Sequence, residues 1–504
     1  MKKNLLVPRC LLGSLLSLLP LACGESAAGD DPGVEGIATR AMGWLRGDLH
    51  LHTTYSDGDD PPAVLAAIGE FFEDALFLRV HPEYAGNGLD FLAMTDHRTV
   101  AGHADPGWRS ERLILLNGME WGGPSHANCI GVQMLVPHDP DGDGVTQDDV
   151  RRSVAETHSQ GGIFSLNHPF HPDMEFSFDV RDHDAVEIWN SGFGLMSPTY
   201  TLADLAEREA RTGPASVFFK KAAARQDIGG SYQALVFYEA LLARGVHVAL
   251  VGGSDRHTVL PPGFPATWAR AQSADAAGVL DAIRARRTFV SRGPAAAQVL
   301  LEVQAGSETY EMGQEIPIAA GGEKVKVRVR VGRAVGARLR LIVGSAVSTD
   351  EQLEAAELEK QVLERSVDRA DFATEWELQV RPGDWLYPQV WEPLIASDLP
   401  AETAAAVREL AVQVAKASPE DFVGLAQLLV NTIPNTDVLL NASLCSFDDW
   451  LPGKAHCLMA DDNGLATYFL PDFVDRAFNV IIENGQVGDW CMGAVGSAVR
   501  FISR

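Results

Sequence analysis

Six cysteines in 504 residues are too few to staple the chain, so its folded parts must rest on apolar cores. Cys10 and Cys23 lie close to the N-terminus, which leaves Cys129, Cys445, Cys457 and Cys491. The last three sit near the C-terminal end. One disulfide among them is expected of a chain bound for an oxidising compartment, with the pairing left open. Positive charge is the second shortage. Lys and Arg number 41 against 68 Asp and Glu, a formal net charge of −27. That balance argues against nucleic acid or an anionic membrane surface as a partner. Long apolar runs are the third shortage, because only Leu11–Leu21 stands out and it is too short to cross a bilayer.

That one run is informative. Lys2, Lys3 and Arg9 precede it and Ala22-Cys23-Gly24 ends it, the layout of an export signal over residues 1–22. Leu21-Ala22-Cys23 resembles a bacterial lipoprotein signal, in which Cys23 takes the lipid and provides the only tie to a membrane. Pro20 departs from the usual aliphatic residue, so ordinary signal-peptidase cleavage to a periplasmic or secreted form stays open. An acidic, Gly/Ala-rich tether follows over 23–43, with nothing to bury.

From Trp44 to about Pro294, strand-like runs alternate with helical patterns, which points to α/β layering. The stretch Gly47-Asp48-Leu49-His50-Leu51-His52 sets two histidines two residues apart. On an extended backbone both face the same way, and Asp57 follows in the next loop. The pattern then repeats, with a metal-capable residue just past each apolar run. Leu89–Met94 leads into Thr95-Asp96-His97, Leu113–Leu116 into Asn117-Gly118-Met119-Glu120, and Ile163–Leu166 into Asn167-His168-Pro169. Val186–Trp189 leads into Asn190, and Val246–Val251 into Gly252-Gly253-Ser254-Asp255-Arg256-His257. In parallel α/β barrels the C-terminal strand ends open on one rim, where the site is built.

These ordered motifs resemble those of the PHP (polymerase and histidinol phosphatase) superfamily. Glu187-Ile188-Trp189-Asn190, Gly252-Gly253-Ser254-Asp255 and Arg287-Thr288-Phe289-Val290-Ser291-Arg292-Gly293-Pro294 are similar to its exported CehA/McbA-type metallohydrolases. The resemblance covers 44–294 and implies a distorted (β/α)7 barrel with two or three divalent ions, Zn, Mn or Fe, at its rim. It places His50, His52, Glu120 and Asp255 on a first ion. Glu120 bridges to a second held by His168 and His126, the latter matched through Gly122-Gly123-Pro124-Ser125-His126. Asp57, His97 and His257 take a third. Imidazole and carboxylate suit such ions, whereas calcium prefers oxygen alone. Glu120, His168, Asp255 and His257 are also read as catalytic. The implied activity is hydrolysis by a metal-bound hydroxide, with no serine or cysteine nucleophile. A phosphomonoester or phosphodiester is the expected small-molecule substrate. A carbamate, ester or amide is the alternative, and an inactive cell-surface binding protein the reading from another class.

The remaining histidines read as structural: His81, His103, His138, His158, His183 and His247, with His171 a loop residue beside the pocket. Asp96 is expected to orient a neighbouring ligand, and Arg256 to pair with a rim carboxylate. Asp139, Asp141 and Asp143 with Gly144 resemble the start of a calcium loop, but Val150 stands where the closing acid belongs. A solvated turn is the preferred reading there, and a calcium ion the alternative.

After Pro294 the texture changes. Gln298–Gln304, Lys324–Val331, Arg338–Val343, Trp376–Val380 and Trp385–Val390 read as strands, giving a mostly β C-terminal domain over 295–504. Glu351–Arg369 reads as a charged helix, and about 401–433 as a helical insertion with apolar residues at helical spacing.

Overall fold

Strand β1 (Trp44–Asp48) leads into His50-Leu51-His52, and its parallel neighbour, Phe91–Met94, leads into Thr95-Asp96-His97. The computed structural model describes residues 43–71, 86, 88–123, 125–171, 174–190, 202–226, 228–257, 262–355, 357–393, 480–483 and 486–504. The signal segment, Cys23, nearly all of the tether, His81, the 401–433 stretch, Cys445 and Cys457 lie outside the described residues. All described residues belong to one compact unit.

The first half runs β1, α1 (Pro62–Phe71), β2 (Phe91–Met94), β3 (Ile114–Gly122), β4 (His126–Ile130), α2 (Gln147–Ser159), β5 (Ile163–Leu166) and β6 (Ala185–Asn190). It continues with α3 (Leu202–Thr212), α4 (Val217–Ala223), α5 (Gly230–Ala243), β7 (Ala249–Gly253), β8 (Ala266–Arg270), α6 (Ala276–Arg284) and β9 (Thr288–Ser291). The motif strands are short apolar runs buried along almost their whole length, as strands covered on both faces must be. Helix starts are chemically specified. Thr146 and Asp149 close a reciprocal capping box on α2, and Asp275 accepts from Gly278 N at the start of α6.

Strands β1, β2 and β3 pair in parallel, as do β5, β6 and β7. Between the two sets, β4 runs antiparallel to both β3 and β5. The β3–β4 hairpin turns at Gly122, whose φ is +117° and whose missing Cβ would lie 1.7 Å from Ser125 O, so only glycine fits. The far strand returns to the first. Leu51 and Arg256 form a parallel bridge, and His52 N donates to Arg256 O at 3.0 Å. Thr267 and Thr288, on β8 and β9, brace β7 by donating to Gly252 O and Leu250 O, each at 2.7 Å. The architecture is therefore mixed α/β with many strands and few helices. Among the described residues, β2 to β3 and β5 to β6 have no α-helix between them.

The second half is β10 (Gln298–Ala305), β11 (Glu308–Glu311), β12 (Glu315–Ile318), β13 (Glu323–Gly332), β14 (Arg338–Gly344), α7 (Asp350–Ala355), β15 (Lys360–Ser366), β16 (Asp371–Val380) and β17 (Trp385–Pro393). It ends with β18 (Val480–Glu483), β19 (Gln486–Gly496) and β20 (Val499–Ser503). Strands β11-β10-β13-β16 form an antiparallel sheet of their own. On β13, Val325, Val327, Val329 and Val331 point into a core shared with Leu339, Leu341, Leu386, Val390, Val499 and Phe501. Lys326 and Arg328 alternate outward.

One reading changes here. Glu351–Arg369 is not one helix, because α7 stops at Ala355 and β15 follows. That strand adds to β14 as a largely exposed edge, its register set by backbone pairing rather than by burial. The chain end ties the two halves together. β19 pairs with β17 on one side and with β9 on the other, so one sheet runs through both halves. Cys491 is buried on β19, with Sγ 3.5 Å from Glu392 O.

Candidate metal centre

His50, His52, Asp57, His97, Glu120, His126, His168, Asp255 and His257 are brought together on the rim where β1, β2, β3, β5 and β7 end. The antiparallel direction of β4 explains His126, which opens its strand and so lies at the rim where the parallel strands finish. Glu120 lies inside β3 rather than after it, paired with Asn128.

Glu120 is the hub, and its two oxygens face different partners. Oε1 lies 3.2 Å from His50 Nε2, 3.0 Å from His126 Nδ1 and 3.3 Å from His168 Nε2. Oε2 lies 3.4 Å from His52 Nε2 and 2.8 Å from His97 Nδ1. Asp255 Oδ1 stands 3.2 Å from His50 Nε2 and 3.1 Å from His52 Nε2, while Oδ2 is 3.9 Å from His168 Nε2. Asp57 reaches His97 Nε2 at 3.4 Å and His257 Nε2 at 3.3 Å. Four groups have ligand atoms close enough to share an ion: His52, Asp57, His97 and His257; His50, His168 and Asp255; His50, His52 and Glu120; His97, Glu120 and His126. The partition differs in detail from the one implied by resemblance. His52 also joins the outer group, and His97 also joins Glu120 and His126.

The residues fit a cation. His50 Nε2, His52 Nε2, His126 Nδ1, Glu120 Oε2 and Asp255 Oδ1 are buried atoms that make no hydrogen bond, although they crowd one another. Buried polar atoms left in that state cost free energy unless something satisfies them, and convergent imidazole and carboxylate donors suit a transition metal. Burial disfavours the charged forms, yet the mixed cluster outweighs it. His126 and His50 hold Glu120 well below the usual carboxylate range, and His50 and His52 do the same for Asp255. Burial pushes His52 down to about 4. Burial also acts on His97, but the carboxylates of Asp57 and Glu120 beside its ring carry it up to about 10.

A set of supporting side chains aims these donors. His50 Nδ1 donates to Glu187 Oε1 at 3.1 Å, which leaves Nε2 for the centre. The other Glu187 oxygen accepts from His168 N at 3.0 Å and Asn190 Nδ2 at 2.9 Å. Asn167 Nδ2 donates to Glu120 Oε1 at 2.8 Å. Asp48 accepts from the backbone N–H of His50, Ser254 and Gly263, and burial lifts its carboxyl to about 6. Asp96 accepts from Thr53 N, Thr53 Oγ1 and Ser56 Oγ, each at 2.7 Å, and so braces the loop between His52 and Asp57. Arg256 pairs with Asp60, both buried. His168 (φ 21°) and Asp255 (φ 50°) hold left-handed backbone, strain of the kind stored at functional sites. Glu187, Asn167 and Asp48 were not read as site residues from the sequence. A lone acid inside the apolar run Val186–Trp189 was the available signal for Glu187.

The histidines read as structural mostly hold backbone or a surface acid. His103 Nε2 bonds Gly118 O, His247 Nε2 bonds Ala498 O, and His158 Nε2 bonds Asp184 Oδ2. His171 is buried, its ring centroid 5.5 Å from that of His168, and burial with the His168 charge pushes it down to about 3. The acidic loop is a turn. Asp139 accepts from the backbone N–H of Gly142, Asp143 and Gly144, while Asp149 is engaged in the cap of α2. Asp139, Asp141 and Asp143 are not among the described groups that offer ligands to one ion.

No protein-family model matches the chain, and no curated protein matches it. A solved structure from Bacteroides vulgatus ATCC 8482 is similar to it, at 14% identity and a TM-score of 0.31, over 69% of this chain and 90% of that one. That structure is described as a two-domain protein containing a predicted PHP-like metal-dependent phosphoesterase.

Proposed function

We propose that the chain is an exported metal-dependent hydrolase of PHP type whose substrate is a phosphoester. The observation that carries the hydrolase reading is the division of Glu120, with one oxygen facing His50, His126 and His168 and the other facing His52 and His97. A carboxylate so placed is suited to bridging two ions. His50, His52, His168 and Asp255 would hold ions on the buried side, and Asp57, His97 and His257 on the accessible side. Bound divalent ions would supply Lewis acidity and acidify a bound water. The chain's own residues do the positioning: Glu187 fixes the His50 tautomer, Asn167 orients Glu120, and Asp96 steadies the loop of Asp57. The side chains of Asp57, His97 and His257 are 57, 17 and 27% exposed, against 0 or 1% for His50, His52 and Glu120. Substrate therefore approaches from the Asp57 side.

The phosphoester preference, the CehA/McbA subtype and the distorted barrel over 44–294 rest on the motif resemblance; the Leu51–Arg256 return of the sheet supports the barrel. The signal over 1–22 supports export, with lipid on Cys23; intact mass of the envelope-extracted protein tests it, and an unlipidated N-terminus other than Cys23 would refute lipidation. Metal analysis of the purified protein is expected to find at least two transition-metal ions per chain, with chelation removing both metal and turnover of a phosphoester. Stoichiometric calcium with no transition metal would sink the hydrolase reading. Turnover of carbamates with none of phosphoesters would shift the substrate class and leave the metal chemistry standing.

A further inference from the structure

The exposed Arg98, at the accessible edge of the cluster, has no role in the arrangement described so far. It directly follows His97, and its own N–H donates to Glu120 O at 2.8 Å, so its Cα is tied to the hub residue. Its φ is 53°, left-handed backbone that a non-glycine residue holds only at a cost. A turn needing that conformation alone is served by glycine, and here a long cationic side chain is carried instead. Among the described residues the Arg98 guanidinium makes no ion pair or hydrogen bond, unlike Arg256, which is consumed by Asp60. His138 lies against the hairpin tip at Gly123 and edge-on to Trp121. Burial and then the Arg98 charge push the His138 imidazole down, and His126 acts on the same ring. Arg98 thus sits in solvent directly beside the ligand His97, with its backbone joined to the strand that presents Glu120.

We infer that Arg98 is a specificity-determining residue that binds the phosphoryl oxygens of the substrate as they enter the centre. The inference rests on the phosphoester reading above and names the group that would select for it. A chain with formal charge −27 repels anions at long range, so a cationic side chain at the mouth favours the entry of an anionic ester towards the centre. Guanidinium is the side chain best matched to a phosphate, offering paired donors to two oxygens. The chemistry is binding only, with no proton or bond transferred by Arg98.

The test uses the full exported chain, metal-loaded, with inorganic phosphate as the probe and p-nitrophenyl phosphate as substrate. Arg98→Ala is expected to weaken phosphate binding by calorimetry about 10- to 100-fold, the range of a charge-assisted contact, and to raise KM alike with kcat changed far less. Arg98→Lys should recover part of the loss. Metal content and melting temperature should stay at wild-type values, as they should in the remote control Arg328→Ala. Unchanged phosphate affinity in Arg98→Ala overturns the inference and leaves the phosphoesterase reading intact. A metal-loaded wild type that binds no phosphate overturns the inference as well, and the substrate panel then decides the reading separately.

Discussion

Glu120 is where a single side chain decides between an enzyme and a binder. Glu120→Gln keeps the shape and removes the second anionic oxygen, so one of the two histidine sets loses its shared acceptor. Metal occupancy is expected to fall and turnover to drop ~10²-fold or more. His183→Ala, outside the cluster, should leave turnover per folded molecule near wild type. Equal metal load and rate in Glu120→Gln would end the bridging role. Glu187→Gln gives a subtler outcome. An amide cannot accept from His50 Nδ1, His168 N and Asn190 Nδ2 as an anionic carboxylate does, so chelator competition should show metal affinity lowered by ~10- to 100-fold. Unaltered affinity would mean that the backbone following β1 holds His50 in place without the Glu187 carboxylate.

At the scale of elements, the joint between the halves runs through β9, β19 and β17, and it carries a buried ion pair. Arg292 Nη2 lies 3.1 Å from Glu392 Oε2, with both side chains almost wholly buried. Glu392→Gln leaves the guanidinium without its counter-charge in a low-dielectric site, which costs about 3 kcal/mol or more. Arg330 and Asp371 pair across the β13–β16 ladder at 3.3 Å but in solvent, so Asp371→Asn should cost under about 1 kcal/mol. Urea unfolding of the two variants checks the contrast, and similar costs would refute it. Backbone pairing away from the joint explains why Glu351–Arg369 misleads as sequence. Lys360–Ser366 buries almost nothing, so no apolar alternation marks it as a strand, and β14 recruits it by backbone pairing. The apolar strands β10, β13, β14 and β17 were legible because burial imposes a period of two on one or both faces.

For the molecule as a whole, acid stability offers a check away from the metal centre. His183 is buried, and burial pushes its imidazole down to about 4 from an ordinary 6.5. The folded state therefore refuses a proton that the unfolded state accepts. Its contribution is complete above pH 6.5 and is lost as pH falls towards 4, by about 3 kcal/mol in all. His183→Gln should flatten the pH dependence of unfolding free energy by that amount across this window. Parallel curves for wild type and variant would show that His183 takes up its proton without unfolding.

The local order of the chain determined the kinds of ligand and their spacing. His50 and His52 share a face because an extended backbone repeats every two residues, and His97, His168 and His257 follow apolar runs that become strands. Those are properties of a few consecutive residues, so they can be read without the fold. Which ligands share an ion is different, because it depends on groups far apart in the chain. His50 and Glu187 are 137 residues apart and meet only because β1 and β6 end on one rim. His126 joins them because β4 runs backwards, and β19 enters the sheet beside β9 because two edges needed pairing. Direction, register and edge pairing are settled by the summed burial of the whole chain, so the grouping around Glu120 was decided by the tertiary structure alone.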